Sequence, residues 1–116
     1  NPTPFIAFKD DKGNTDKYLG GKPFSKALLL QAPGIGAAID DGLLNIGFTV
    51  LSFETVFFDS MGNAMPEVSN GAQFSDRQKA AIKKLSRGKR FYISKVKAIG
   101  PDGIERTISP IEVFVN

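Results

Sequence analysis

The side chains available for chemistry in this sequence are carboxylates, lysines, tyrosines, serines and threonines, because cysteine and histidine are both absent. Their absence excludes thiol nucleophiles, thiolate or imidazole zinc ligands and every Ser-His or Cys-His pair. Acid–base catalysis would need two carboxylates that converge in a cleft with different pKa values. Glu54 and Asp59 lie close together on a predicted strand, but no third group is positioned to join them. We therefore predict a protein that is not an enzyme and uses no cofactor.

Two other stretches resemble ligand sites but lack the required spacing. The loop over 9–21 holds possible calcium ligands, without the spacing of an EF-hand or its terminal Glu: Asp10, Asp11, Asn14 and Asp16. Gly34-Ile35-Gly36 has the start of a dinucleotide-binding loop, but Ile39 occupies the third glycine position. We interpret 9–21 as a solvated loop whose cation binding stays open. We interpret 34–36 as a turn into a strand, with a further turn at 40–42.

Positive charge is concentrated in Phe74–Lys97, which carries nine of the fifteen basic residues and a single acid, Asp76. The formal net charge of the whole chain is only +3, so the rest of the sequence is acidic. Such asymmetry can orient a domain towards an acidic partner, over roughly 10 Å at 0.1 M salt. The residues that we predict to bind a partner come from this stretch: Arg77, Lys83, Lys84, Arg87 and Arg90.

The same charges have other interpretations. They could form a solvated helix face that complements the helix dipole. A nucleic-acid interface would need exposed aromatic side chains among the cations, and only Tyr92 lies nearby, so we predict no nucleic-acid partner. The loops at 9–21 and 59–73 are rival surfaces for a protein partner.

One helix is well marked, over about 75–87. Ser75 and Gln78 form a capping box, and Asp76 lies in the first turn, where the helix dipole favours negative charge. Gly88 is placed to end the helix in a left-handed conformation. One side of this helix is predicted to pack as a lid on a sheet, and it is formed by Gln78, Ala81, Ile82 and Leu85.

Most of the remaining chain has strand patterns. The long run from Leu44 to Asp59 changes its apolar parity near Val50–Ser52, which predicts a bulge, and Ser94-Lys95 is a second candidate. Pro110 predicts an edge or bulge in the last strand. A short helix over 25–31 begins after Ser25. We predict a mainly β (α+β) fold, a two-layer sandwich-like domain with one inserted helix. Residues 1–4 are predicted to be an interdomain linker, and 5–116 a single domain.

Several segments together resemble the C-terminal domain of the GldM/PorM family of type IX secretion and gliding motility. They are Gly20-Gly21-Lys22, FSKALLLQAPGI, the strand IGFTVLSFE, the run GAQFSDRQKAAIKKLSRGKRFYISKVKAIGPDG, and the terminal Ser-Pro-Ile-Glu-Val. The resemblance covers nearly the whole chain and is most specific over 71–103. The DKGNTDKYL stretch looks like a local loop insertion relative to the family.

The resemblance implies a periplasmic module at the outer end of a dimeric arch. In this family, an N-terminal transmembrane helix joins a GldL/PorL-type partner in the proton-powered inner-membrane motor. The module would contact GldN/PorN-type and GldK/PorK-type ring components at the outer membrane and transmit motion. The sequence in hand would be a fragment without the membrane helix.

A freestanding sandwich that binds a ligand such as a glycan is the alternative. Such a module needs a groove lined by aromatic side chains with converging polar groups. The sequence has two tyrosines and no tryptophan, which counts against this alternative.

Overall fold

The computed structural model describes residues 2–32, 34–40 and 45–116. Within these ranges the chain forms nine strands and two helices. The elements are β1 (Thr3–Lys9), β2 (Thr15–Tyr18), β3 (Pro23–Phe24), α1 (Lys26–Gln31), β4 (Gly34–Asp40), β5 (Asn45–Phe58), β6 (Ala64–Ser69), α2 (Asp76–Lys84), β7 (Arg90–Ile99), β8 (Glu105–Ile108) and β9 (Ile111–Val115). The predicted mainly β fold is confirmed, with its inserted helix and its short helix near 25–31. The predicted turn at 40–42 and Leu44 lie largely outside the described residues.

The strands form one sheet in the order β2-β1-β4-β5-β7-β9-β3, with β6 also paired to β5 and β8 to β7. The long strand β5 belongs to both halves of this sheet. Its first residues pair with β4, from Asn45 to Phe48, and its last residues pair with β6, from Phe53 to Phe58. The two predicted layers are therefore two parts of a single sheet that share β5.

The two ends of the sheet meet at Tyr18, a residue of β2 that is 2% exposed. Its ring stacks on Phe24 of β3, with the ring centroids 4.4 Å apart. Its hydroxyl donates to the carbonyl of Lys22 and lies 3.4 Å from the carbonyl of Glu112 in β9. Burial raises the pKa of Tyr18, so the phenol stays protonated and remains a donor. The sheet thus folds back on itself around one core.

The prediction that 9–21 is a loop is wrong for part of this segment, because β2 pairs with β1. The turn between them is held by Asp10, whose carboxylate accepts hydrogen bonds from the N–H groups of Lys12 and Asn14. The same Asp-x-x-Gly-Asn pattern recurs at 59–63, where Asp59 makes the equivalent bonds between β5 and β6. In the described part of the chain, no three acidic side chains come together as a possible metal site.

Two strands begin earlier than predicted. β1 includes Thr3 and Pro4, which pair with Ala38 and Ala37 of β4 and belong to the 1–4 segment predicted to be an interdomain linker. β4 begins at Gly34, so the predicted turn at 34–36 is already part of the strand. In both cases, tertiary pairing extends a strand into residues whose local signals favour a turn or linker.

Two bulges interrupt the pairing of β5 with β7, at the two predicted places. Val50 pairs with Ala98, but Ser52 pairs with Lys97, which leaves Leu51 as an extra residue in β5. Between Ser52 and Glu54 the extra residue lies in β7. Because the two bulges lie on opposite strands, the register beyond them is restored. Pro110 lies opposite the bulge in β7, in the gap between β8 and β9. No backbone N–H is needed there for the ladder.

The bulge in β7 gives Lys95 a left-handed backbone with φ of 50°, the one positive φ outside glycine among the described residues. We expect Lys95→Gly to be more stable than Lys95→Ala by about 1 kcal/mol, because only glycine adopts this conformation without strain. Both variants lose the ion pair of Lys95 with Glu54, at 3.5 Å, so the ion pair cancels in the comparison. Urea denaturation of the two variants measures the difference. Equal midpoints would show that the bulge stores no strain.

The N-terminal end of α2 is built as predicted. Ser75 Oγ accepts a hydrogen bond from the N–H of Gln78, and Gln78 Oε1 accepts one from the N–H of Ser75. Gln78 and Ile82 are fully buried, while Ala81 and Leu85 are partly buried. The Gln78 amide also donates to the carbonyl of Glu67 in β6, at 3.0 Å. The helix therefore lies over the sheet beside β6.

The C-terminal end of α2 differs from the prediction, because the helix ends at Lys84 rather than near Arg87. The ammonium of Lys26 in α1 donates to the carbonyls of Lys83 and Leu85, the latter at 2.8 Å. A lysine that satisfies the last carbonyls can end a helix without a glycine. Gly88 has the expected positive φ, but it lies in the turn that follows and donates to Val115.

Phenylalanines supply much of the core, as the composition predicts. Phe57 stacks on Phe91, with centroids 4.9 Å apart, and Phe53 meets Phe74 edge to face at 5.6 Å. All four are buried in one cluster that spans both halves of the sheet. Neither described helix is long and apolar enough to cross a membrane.

Candidate protein-binding surface

Phe58, the last residue of β5, lies at the centre of the candidate site. Because side chains alternate along a strand, the buried Phe57 and the adjacent Phe58 face opposite ways, and Phe58 remains 43% exposed. Its ring meets that of Tyr92 edge to face, with centroids 6.1 Å apart. Phe58 borders two clefts, one beside α2 and the other on the open face of the sheet.

The first cleft, here the helix cleft, has a volume of about 470 Å³ and lies between α2 and the β5–β6 hairpin. Its apolar lining comes from both sides and consists of Phe57, Phe58, Met65, Ala80, Ala81 and Leu85. Arg77 and Lys84 supply positive charge at the cleft, while Asp59 and Glu67 supply negative charge. The helix cleft thus combines an apolar lining with charged groups at its border.

Asp59 is ionised at this border. The N–H of Asn63 donates to its carboxylate and, with further hydrogen bonds from the same turn, lowers the pKa of Asp59. The Asp59 carboxylate therefore already accepts hydrogen bonds from backbone N–H groups of the turn that connects β5 with β6.

The second cleft, here the sheet cleft, has a volume of about 440 Å³ and contains three aromatic side chains, Phe58, Tyr92 and Phe114, beside Lys89 and Arg90. The Tyr92 hydroxyl donates to Glu112 at 2.9 Å, and this bond to a carboxylate raises the pKa of Tyr92. Arg90 lies 3.6 Å from the same carboxylate oxygen. Tyr92, Arg90 and Glu112 thus already bind one another, while Lys89 takes no part in this group.

A third cavity, of about 360 Å³, connects the surroundings of the two clefts. It is lined by Phe58, Lys84, Lys89 and Arg90 together with neighbouring turn residues. Phe58 is common to all three, so the three cavities form one surface around a single exposed aromatic ring.

The structure brings together three of the five predicted partner-binding residues, namely Arg77, Lys84 and Arg90, around Phe58. Arg87 lies in the turn after α2 and donates through Nε to the side chain of Asn116, at 3.0 Å. Lys83 is exposed on α2 and lines none of these three cavities. The five cations therefore lie on one part of the surface but do not form one cluster.

The predicted site does not include its apolar half. Phe58, Met65, Phe114 and Lys89 are not among the five predicted partner-binding residues. Two adjacent phenylalanines at 57–58 were the available signal, because a strand cannot bury both on one face. Met65 and Glu67 belong to the 59–73 stretch, which the sequence left open as a rival surface.

Most of the cations around Phe58 are not neutralised by neighbours. Arg90 is paired with Glu112, but within the described ranges no carboxylate lies within 4.0 Å of Arg77, Lys84 or Lys89. The surface thus presents positive charge next to exposed apolar side chains, a combination that suits recognition of another protein.

Comparison with known proteins gives one positive result. The model of a family described as the GldM C-terminal domain matches residues 1–116, which is the whole chain. The match includes every segment that carried the resemblance noted in the sequence. No curated protein matches the chain.

Proposed function

This chain belongs to the GldM C-terminal domain family, whose members are components of the type IX secretion and gliding machinery. We propose that it is a non-catalytic protein-interaction domain of that machinery. The family match over the full length carries this proposal. The exposed Phe58 surrounded by cations supports it, because aromatic and arginine side chains are enriched in protein interfaces.

In this proposal the domain works in the periplasm, within a dimeric subunit that spans it. It contacts GldN/PorN-type and GldK/PorK-type ring components at the outer membrane. Other parts of the same protein join a GldL/PorL-type partner in the inner membrane. The domain then passes motion from the inner-membrane motor to the ring.

The basic residues Arg77, Lys83, Lys84, Arg87 and Arg90 are proposed to face the ring. Changing all five to Glu is expected to weaken binding of the purified GldN/PorN-type component at least about tenfold, because like charges across an interface cost several kcal/mol. The loss should be largest at low salt and shrink as salt rises. Surface plasmon resonance at two salt concentrations measures it.

The matched control changes five other exposed lysines to Glu: Lys9, Lys12, Lys17, Lys22 and Lys97. This control alters the net charge by the same amount but leaves the α2 region intact. If both variants lose affinity equally, only the overall charge matters and the assignment of this surface is wrong. Unchanged affinity of the first variant at both salt concentrations would also contradict it.

The freestanding glycan-binding module remains the alternative function. The sheet cleft does contain three aromatic side chains. However, the rings of Phe58 and Tyr92 are nearly perpendicular, at 87°, so they form no common flat platform for a sugar ring. A glycan array with the purified chain tests this alternative directly.

A further inference from the structure

The helix cleft and Phe58 beside it form a docking surface for which we propose one occupant: a protein segment that presents an apolar side chain flanked by carboxylates. The inference rests on the proposed function and specifies how the ring partner is recognised. In it, Phe58 and Met65 receive the apolar side chain, while Arg77 and Lys84 bind the carboxylates.

The apolar part of the inference comes from the β5–β6 hairpin. Of the seven exposed large apolar side chains in the described part of the protein, three lie together at the turn end of this hairpin: Phe58, Met61 and Met65. Isolated exposed apolar residues are normal, but a local concentration of them marks an interaction site. Phenylalanine and methionine are also enriched at the centres of interfaces.

The charged part of the inference comes from the residues that surround Phe58. Arg77, Lys84 and Lys89 have no carboxylate within 4.0 Å in the described ranges, and Arg90 is the paired exception. The acids at the helix cleft are only two, and the carboxylate of Asp59 is already held by its own turn. A partner that carries carboxylates would therefore find complementary charge here.

The structure also indicates how the segment binds. In the described structure β6 pairs with β5 alone, so it is an edge strand. Pro66, in the middle of β6, has no N–H to donate, so an incoming strand could not form an uninterrupted ladder with this edge. Recognition therefore depends on side chains that enter the helix cleft rather than on strand addition.

The test is the affinity of the 116-residue chain for the purified GldN/PorN-type ring component, measured by titration calorimetry. Phe58→Ala is expected to weaken binding at least about tenfold, as for a central aromatic anchor. Ile104→Ala is the matched control, because Ile104 is also an exposed large apolar residue (55%, against 43% for Phe58) but lies immediately before β8, and it should change affinity less than about twofold. Arg77→Gln with Lys84→Gln should also weaken binding and flatten its salt dependence.

The outcomes separate the two proposals. If the unaltered chain binds but Phe58→Ala binds equally well, the docking surface is wrong and the proposed function stands. If the unaltered chain does not bind any ring component, both are overturned. If Phe58→Ala instead abolishes self-association in sedimentation experiments and leaves ring binding unchanged, the occupant is a second copy of the chain, which contradicts the inference.

Discussion

Replacing Tyr18 with alanine is expected to lower the free energy of unfolding by about 4 kcal/mol, which is typical of a buried aromatic side chain cut back to a methyl group. Tyr18 is almost completely buried and stacks on Phe24, so its removal leaves a cavity where β2 meets β3. Its hydroxyl also bonds the carbonyl of Lys22. Urea denaturation monitored by circular dichroism measures the loss.

Tyr18→Phe separates the two contributions of this residue. Phenylalanine keeps the stacking on Phe24 but leaves the carbonyl of Lys22 without its hydrogen bond, so we expect a loss of about 1–2 kcal/mol. Tyr92→Phe is the control, since Tyr92 donates to a side chain near the surface and should lose less. A loss below 1 kcal/mol for Tyr18→Ala would mean that the two ends of the sheet do not depend on this contact.

Replacing Gly34 with alanine is expected to destabilise the protein by about 3 kcal/mol or more. Gly34 has φ of 151°, and a Cβ placed there would lie 2.2 Å from the carbonyl oxygen of Ala72. The same oxygen accepts the hydrogen bond of Ile35 N–H, at 2.8 Å, so the clashing segment cannot move without breaking that bond. The predicted loss is visible as a lower urea midpoint.

Gly21→Ala is the matched control for Gly34→Ala. Gly21 also has a positive φ, 79°, but a Cβ there would meet no atom within 4 Å. The control therefore carries backbone strain without a clash, and we expect it to lose only about 1 kcal/mol. Similar losses in the two variants would show that the contact between 34–35 and the 72–73 segment is loose.

Features that depend on local sequence were predictable. The capping box of Ser75 and Gln78 follows from two residues three positions apart, and it is present as expected. The bulges near Leu51 and Lys95 were visible as changes of apolar parity, because one extra residue in a strand turns every later side chain to the other face.

Features that depend on distant partners were not predictable. The helix α2 ends where Lys26, more than fifty positions away, binds its last carbonyls, and nothing near Lys84 in the sequence indicates this. The strand β2 has one buried apolar residue, Tyr18, so it has no alternating pattern to detect. Its existence depends on the pairing with β1 and on Phe24.

The candidate site likewise has one part that local sequence predicts and one part that depends on distant partners. The cations on α2 could be found by counting charges and by placing residues around a helix. Their position beside Phe58 could not, because it requires the pairing of β5 with β7 and the packing of α2 over β6. The sequence therefore predicted the charge of the surface but not its apolar centre.

The length of β5 has a mechanical consequence for a domain that is proposed to pass motion on. Fourteen residues of strand extend about 46 Å, which is comparable to the longest dimension of the domain, 43 Å. One end of β5 is tied through β4 to β1 near the start of the chain, and the other end carries Phe58. A pull applied through β1 would thus reach the docking surface along a single continuous load path. The paired bulges lie midway on this path, where the ladder is weakest, so any elastic bending would be concentrated there.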